Sequence, residues 1–333
     1  MKSLTFVDIL KIADEWLSLG GNPNLEIGAL EPLLWRDGSY RINDVVKELV
    51  DRGYKVSMTT NGQYLGDYAK KLSKAGLALI RTSWHSTDPL IFKEISGGYG
   101  DYEKFISGVT EALDLGMKID FNRVLLQGFT SDIPNQLSFI ESYNSRLKLF
   151  TLLWTPQGDS SHESQYQDWR PIVKQHVLPK TRKIERVSKQ LGRKRLKFHL
   201  NGGGSVEVKL GDRLDRTSAP CNTCELQAKC EESFGDYARI DPNLNLYFCY
   251  LRRDIGFYLP DFFGKHEELS IKIQDELRDV DLSNLLLDTS LRLTVTPNCN
   301  FNCRAPGEEK GWCMEEPGEY KYPPIKKTLV QIK

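Results

Sequence analysis

The chain has 333 residues, 40% of them hydrophobic and 27% charged. Its 45 Lys and Arg balance 45 Asp and Glu, so no global charge points to nucleic acid or another polyanion. No stretch approaches the roughly 20 apolar residues of a membrane span, and Asp8 interrupts the apolar run a signal peptide needs; the expectation is a cytoplasmic protein with neither nucleic-acid nor membrane partners.

The first 155 residues alternate helix and strand patterns. Residues 5–17 place Phe6, Ile9, Leu10, Ala13, Trp16 and Leu17 on one helical face. Thr5 with Asp8 suits the start of that helix, and Gly20-Gly21 its end. A short strand follows at 24–29, then an amphipathic helix at 41–53 and a strand at 54–60 that ends in Asn61-Gly62. Helix 64–76 stops at Gly76; strand 77–84, helix 101–116, strand 117–127, helix 133–144 and strand 147–154 complete five β/α steps. Such repetition requires a parallel sheet with helices outside it, and curled up it is a barrel or partial barrel. Function in these folds sits at the C-terminal strand ends, which here carry Glu31, Thr59, Thr60, Asn61, Ser83, His85 and Asn122.

Residues 166–192 read as helix interrupted by Pro171 and Pro179, and 194–200 with 205–210 read as a hairpin around Gly202-Gly203-Gly204. Nine Lys or Arg and one Glu lie between Lys180 and Lys197. No aromatics interleave with them as nucleic-acid stacking needs, so they read as a solvated helix face. The segment 237–250 turns at Asp241-Pro242-Asn243 between two β-like runs, an acidic helical stretch covers 267–279, and a strand beginning near Ser290 runs into an Asn/Gly/Pro-rich loop.

There are seven cysteines, none in the first 220 residues. Four lie at Cys221, Cys224, Cys230 and Cys249; three lie at Cys299, Cys303 and Cys313. An odd count in a cytosolic-looking chain argues against a disulfide framework. The C-x2-C and C-x3-C spacings argue for metal, because neighbouring thiolates must converge on one centre. Four thiolates close an iron–sulfur cluster or a zinc site; three leave one iron of a cube open to an external ligand.

The stretch TVTPNCNFNC (294–303) resembles the first strand and cluster loop of the radical S-adenosylmethionine (SAM) enzymes. Phe301 and Trp312 precede Asn302-Cys303 and Cys313, but the spacing is C-x3-C-x9-C where the family has C-x3-C-x2-C. IGALEPLLW (27–35) is similar to the family's Gly-Gly-Glu-Pro segment, with Ala29-Leu30 in place of the glycines. SMTTNG (57–62), LIRTSWHS (79–86), IDFNRVLLQG (119–128) and LLWTPQG (152–158) resemble its third to sixth strands in order. Only the order is unusual: strand one and its loop come last. A circular permutation is the simplest account; a strand that completes another copy's barrel, or a fragment of a second domain, are its rivals.

The resemblance implies an α/β fold: a partial (β/α)6 TIM-like barrel of parallel strands. Its first strand comes from the C-terminal segment, and a small cysteine-rich auxiliary-cluster domain accompanies it. It divides the chain into a barrel at 1–158, a connector at 159–216, an auxiliary "twitch" domain at 217–286, and a strand, cluster loop and tail at 287–333. It implies two 4Fe–4S clusters and SAM, one cluster on Cys299, Cys303 and Cys313, the other on Cys221, Cys224, Cys230 and Cys249. Glu31 would hold the methionine amino group. Thr59 or Asn61, and Ser83, would hold its carboxylate or the ribose; Asn122 would hold ribose hydroxyls, with Phe301 also at the cofactor. Cys249 is either a cluster ligand or a hydrogen donor to a substrate radical, and His85 either a proton donor or a structural residue. The implied activity is hydrogen abstraction that leads to oxidation or epimerisation of a small polar metabolite (sugar, aminoglycoside or nucleotide), fed by a flavodoxin- or ferredoxin-type electron donor. The alternatives are a maturase of a ribosomally made peptide and a non-catalytic iron–sulfur or zinc-binding interaction protein.

Overall fold

The computed structural model describes residues 3–295 except 29–30, 154–158, 188–193, 211–220, 222–223, 227–229, 231–236, 250, 252–254 and 278–280. Helix α1 (Phe6–Ser18) begins where the Thr5 hydroxyl accepts the Asp8 N–H and the Asp8 carboxylate accepts the Thr5 N–H. Its Phe6, Ile9, Ile12, Ala13 and Trp16 side chains are buried. Strand β1 (Asn22–Gly28) follows, then a small hairpin of β2 (Arg36–Asp37) and β3 (Tyr40–Arg41). The β/α alternation continues through α2 (Ile42–Asp51), β4 (Lys55–Thr60), α3 (Leu65–Lys74), β5 (Leu79–Ser83), α4 (Pro89–Ile95), α5 (Tyr102–Asp114), β6 (Ile119–Leu125), α6 (Ile133–Ser142) and β7 (Arg146–Thr151).

Strands β1, β4, β5, β6 and β7 are neighbours in that order, each parallel to the next. Every crossover advances one strand in the same direction. Right-handed crossovers that never reverse put their helices on a single face and leave the other face to strand side chains alone, the arrangement of a barrel wall. Alternation along β5 shows the division. Trp84, just past the strand, packs on Phe105 of α5 and Phe139 of α6 with ring centroids 6.3 and 5.0 Å away, whereas Arg81 points to the opposite face and reaches Glu26 of β1.

After β7 come α7 (Asp159–Gln165), α8 (Trp169–Ile172), β8 (Thr181–Val187), β9 (Arg195–Leu200) and β10 (Ser205–Lys209). Strand β10 joins β7 in parallel, and β9 and β8 add on antiparallel. The helix expected over 166–192 is thus only half right. It gives way after a π-turn at Val173–Val177 and a 3-10 turn at Leu178–Lys180. Pro179 lacks the N–H a continuing helix needs, and pairing with β9 then makes Thr181–Val187 a strand. The basic residues of Thr181–Val187 therefore lie on an exposed strand and not on a helix face.

Strands β11 (Tyr237–Ile240), β12 (Asn245–Tyr247) and β13 (Phe257–Tyr258) extend the other end of the sheet. Asp241 makes the expected turn, its carboxylate accepting the N–H groups of Asn243 and Asn245 at 2.8 and 3.0 Å. Helices α9 (His266–Leu277) and α10 (Leu282–Asp288) lead into β14 (Ser290–Thr294). That strand lies between β11 and β1, parallel to both, with Glu26 opposite Arg292 and Gly28 opposite Thr294. The C-terminal segment therefore supplies the strand before β1, and the pairing is made within one chain.

Candidate cofactor rim and inner chamber

Two groups of polar side chains stand apart from the helix-packed core. The first lies at the C-terminal rim of the parallel strands. Glu31, just past β1, is 4% exposed. Its carboxylate accepts the Leu33 N–H at 3.0 Å, the Thr60 hydroxyl at 2.7 Å and the Asn61 N–H at 2.8 Å. Burial raises its pKa and these three donors only partly oppose the rise; no side-chain cation is among the causes. Asn61 accepts the Gln63 N–H at 2.9 Å, which shapes the turn at Gly62. Gly62 has φ +80°, and a Cβ there would lie 2.7 Å from the Phe105 ring, so this turn requires glycine.

Ser83 and Asn122 stand opposite each other on β5 and β6. Asn122 Oδ1 is buried and has no hydrogen-bond partner among the described residues. The Val295 N–H donates to Gly28 O at 2.8 Å, so β14 delivers the chain to this same rim. Cys299, Phe301, Cys303 and Cys313 follow from there and lie outside the described residues, as do Trp154 and Trp312. His85 Nδ1 accepts the Val124 N–H at 3.3 Å. Burial, helped by the Arg123 charge, lowers its pKa to about 4. His85 is therefore neutral near pH 7, with its Nδ1 engaged at the β5–β6 junction.

The second group lines the helix-free face. Glu26 accepts the Thr59 hydroxyl at 2.8 Å, an Arg81 N–H at 2.7 Å and the Tyr237 hydroxyl at 2.8 Å, with Arg292 at 3.6 Å. Burial works against its ionisation, but Arg292, Arg81 and the two hydroxyls prevail and hold its pKa at about 2. Tyr237 is pushed up to about 12 by burial and by the Glu26 charge. Thr59, expected at the cofactor, is thus engaged one layer deeper, with Glu26. A second cluster joins Arg146 to Asp120 and, at 2.9 Å, to Glu207, with Arg195 3.6 Å from Glu207. Lys148 lies beside it, 4.0 Å from Asp120. Sequence reasoning singled out neither cluster. The signal was present as charged residues at alternate positions of apolar strands: Leu25-Glu26-Ile27, Ile80-Arg81-Thr82, Leu147-Lys148-Leu149, Val206-Glu207-Val208 and Leu291-Arg292-Leu293.

Cys221, Cys224, Cys230 and Cys249 are half-buried thiols with no disulfide between them. Cys221 and Cys249 pack against the core, and the Cys224 N–H donates to Cys221 O at 3.3 Å. Among the described residues no three Cys, His, Asp or Glu side chains converge as a metal would require.

Residues 1–137 match the radical SAM superfamily. The probable GTP 3′,8-cyclase of Sulfurisphaera tokodaii is 34% identical over 174 residues, 51% of this chain and 52% of that protein. The GTP 3′,8-cyclase of Rhizobium etli is 26% identical over 164 residues, 49% of this chain and 47% of that one. Among solved structures, SuiB of Streptococcus suis bound to S-adenosylmethionine superposes with a TM-score of 0.38 at 16% identity, over 44% of this chain and 34% of that chain. The chain spans about half the length of the curated relatives it matches. Residues 1–137, from α1 through β1, β4, β5 and β6 to the start of α6, are thus a radical SAM superfamily segment of the chain.

Proposed function

We propose that this protein is a radical SAM enzyme that removes a hydrogen atom from a C–H bond of a small, anion-bearing polar metabolite, a guanine nucleotide foremost. The observation that carries the reading is the pairing of the two polar groups: a rim with unmet hydrogen-bonding capacity above a charged face walled by strands. The likeness to GTP 3′,8-cyclases favours ring closure within GTP over the oxidation or epimerisation expected from the sequence.

The rim fits the cofactor on two counts. Glu31 is a buried carboxylate with no compensating side-chain cation, which suits the methionine ammonium. Asn122 Oδ1 is a buried acceptor awaiting a donor, which suits a ribose hydroxyl. Ser83, opposite Asn122, and Asn61 would flank the same ligand, and Cys299, Cys303 and Cys313 would hold the cluster. Bound to such a cluster and given one electron, SAM supplies methionine and a 5′-deoxyadenosyl radical, the hydrogen-abstracting group. The chain's own part is to orient the donor at the rim and keep water from the chamber. Cys221, Cys224, Cys230 and Cys249 would hold the second, auxiliary cluster, with Cys249 either its fourth ligand or a hydrogen donor.

The test is anaerobic. The protein is reconstituted with iron and sulfide, reduced with dithionite, and given SAM with and without GTP. The expected result is 5′-deoxyadenosine whose formation GTP accelerates, with a new guanine-derived product. A reconstituted, reduced sample that forms no 5′-deoxyadenosine refutes the enzymatic reading; formation that GTP leaves unchanged refutes the nucleotide.

A further inference from the structure

Lys148 differs from the other ion-paired cations of the helix-free face. Arg81 is hydrogen-bonded to Glu26, and Arg146 to both Asp120 and Glu207. Lys148 has no such partner among the described residues. Its sole ion-pair contact there is Asp120 at 4.0 Å, a carboxylate already held by Arg146. Its side chain is only 14% exposed, so most of it is buried. It stands on β7 opposite Asn122 of β6, which in turn stands opposite Ser83 of β5, so the three share one level of the sheet.

We propose that Lys148 binds an anionic group of the substrate, a phosphate or carboxylate, inside the chamber. The inference rests on the helix-free face being the substrate site, as proposed above. A cation with hydrogen-bond donors to spare and little water around it is an incomplete ion pair. The surroundings say what completes it. Lys148 faces Arg146 on its own strand, Arg81 from β5, Asp120 from β6 and Glu207 from β10. Burial, then Arg146 and Arg81, lower its pKa to about 7, while Glu207 and Asp120 act in the opposite direction. The local field is thus cationic, and an entering anion reverses the balance. Lys148 is then protonated as the anion arrives, so binding takes up a proton and weakens as pH rises above about 7.

Calorimetry reads this directly. GTP and inorganic triphosphate are titrated into the reconstituted, SAM-loaded protein at pH 8, in two buffers of equal pH and different ionisation enthalpy. The expected uptake is more than about half a proton per anion bound. Lys148→Arg, charged at any working pH, should bind within about threefold of wild type with the uptake gone. Lys148→Met should bind at least about tenfold more weakly. Uptake that persists in Lys148→Arg overturns the proposal, as does wild-type affinity in Lys148→Met, or failure of both anions to bind the wild-type protein. The failures separate cleanly: loss of 5′-deoxyadenosine formation speaks to the enzymatic reading, and the proton count speaks to Lys148.

Discussion

Replacing Glu26 with Gln tests the charge network at the centre of the sheet. The carboxylate is 3% exposed and serves Arg81, Arg292, Thr59 and Tyr237 together. Its pKa falls from the ordinary 4.5 to about 2. At 1.36 kcal/mol per unit, that difference is worth about 3 kcal/mol of folding stability at neutral pH. Removing one partner from a buried pair costs about 3–5 kcal/mol on general grounds; Arg81 and Arg292 retain some exposure, which favours the lower figure. In a chain of this size about 3 kcal/mol is about 4 °C in Tm. The sign follows from a depressed carboxylate: the stabilisation is complete above pH 4.5 and is lost as pH falls towards 2. Urea unfolding of wild type and Glu26→Gln should therefore show a gap of about 3 kcal/mol at pH 7 that closes progressively below pH 4.5. A gap under about 0.5 kcal/mol, or one independent of pH, would refute the reasoning.

On the helix side of β6, Arg123 is fully buried between Asp132 at 2.7 Å and Gln136 at 2.7 Å. Arg123→Met should cost about 3–5 kcal/mol, seen as a lower thermal midpoint with SAM binding otherwise intact below it. Glu31→Gln and Asn122→Ala should each weaken SAM binding at least about tenfold by equilibrium titration; unchanged affinity in both would remove the rim as the cofactor site. Iron content checks the thiols. Cys303→Ala should lower the reconstituted count by about four atoms. Cys249→Ala should also lower it if Cys249 is a ligand, whereas full iron with no turnover would mark it as the hydrogen donor.

The alternation of helix and strand from α1 to β7 was legible because the helices carry apolar stripes and α1, α4 and α5 also carry a side-chain cap. Thr5 with Asp8 and the buried face of α1 are examples. The rim residues were legible because strand ends are marked by turn residues such as Asn61-Gly62. The chamber was not. Glu26, Arg81 and Lys148 lie on separate strands, and only the strand order brings them together. The strand at Thr181–Val187 was missed because it is fixed by antiparallel pairing with β9, which local pattern does not reveal. Thr59 was assigned to the rim by motif, yet the backbone alternation directs its hydroxyl to Glu26.

The position of β14 has a consequence for how the protein is made. This strand joins β1 and β11, and its partner in β1 lies about 265 residues earlier in the chain. At about 5–20 residues per second, a ribosome takes on the order of ten seconds to a minute to deliver Ser290 after Asn22. During that interval β1 presents an unpaired row of N–H and C=O groups, joined by β11 once it has been made, the kind of edge on which other chains aggregate. The closing step waits for Ser290–Thr294, which makes β14 the keystone of the nascent sheet. A helper that shields the edge of β1 would raise the yield of folded protein more than any gain in the strength of the finished core.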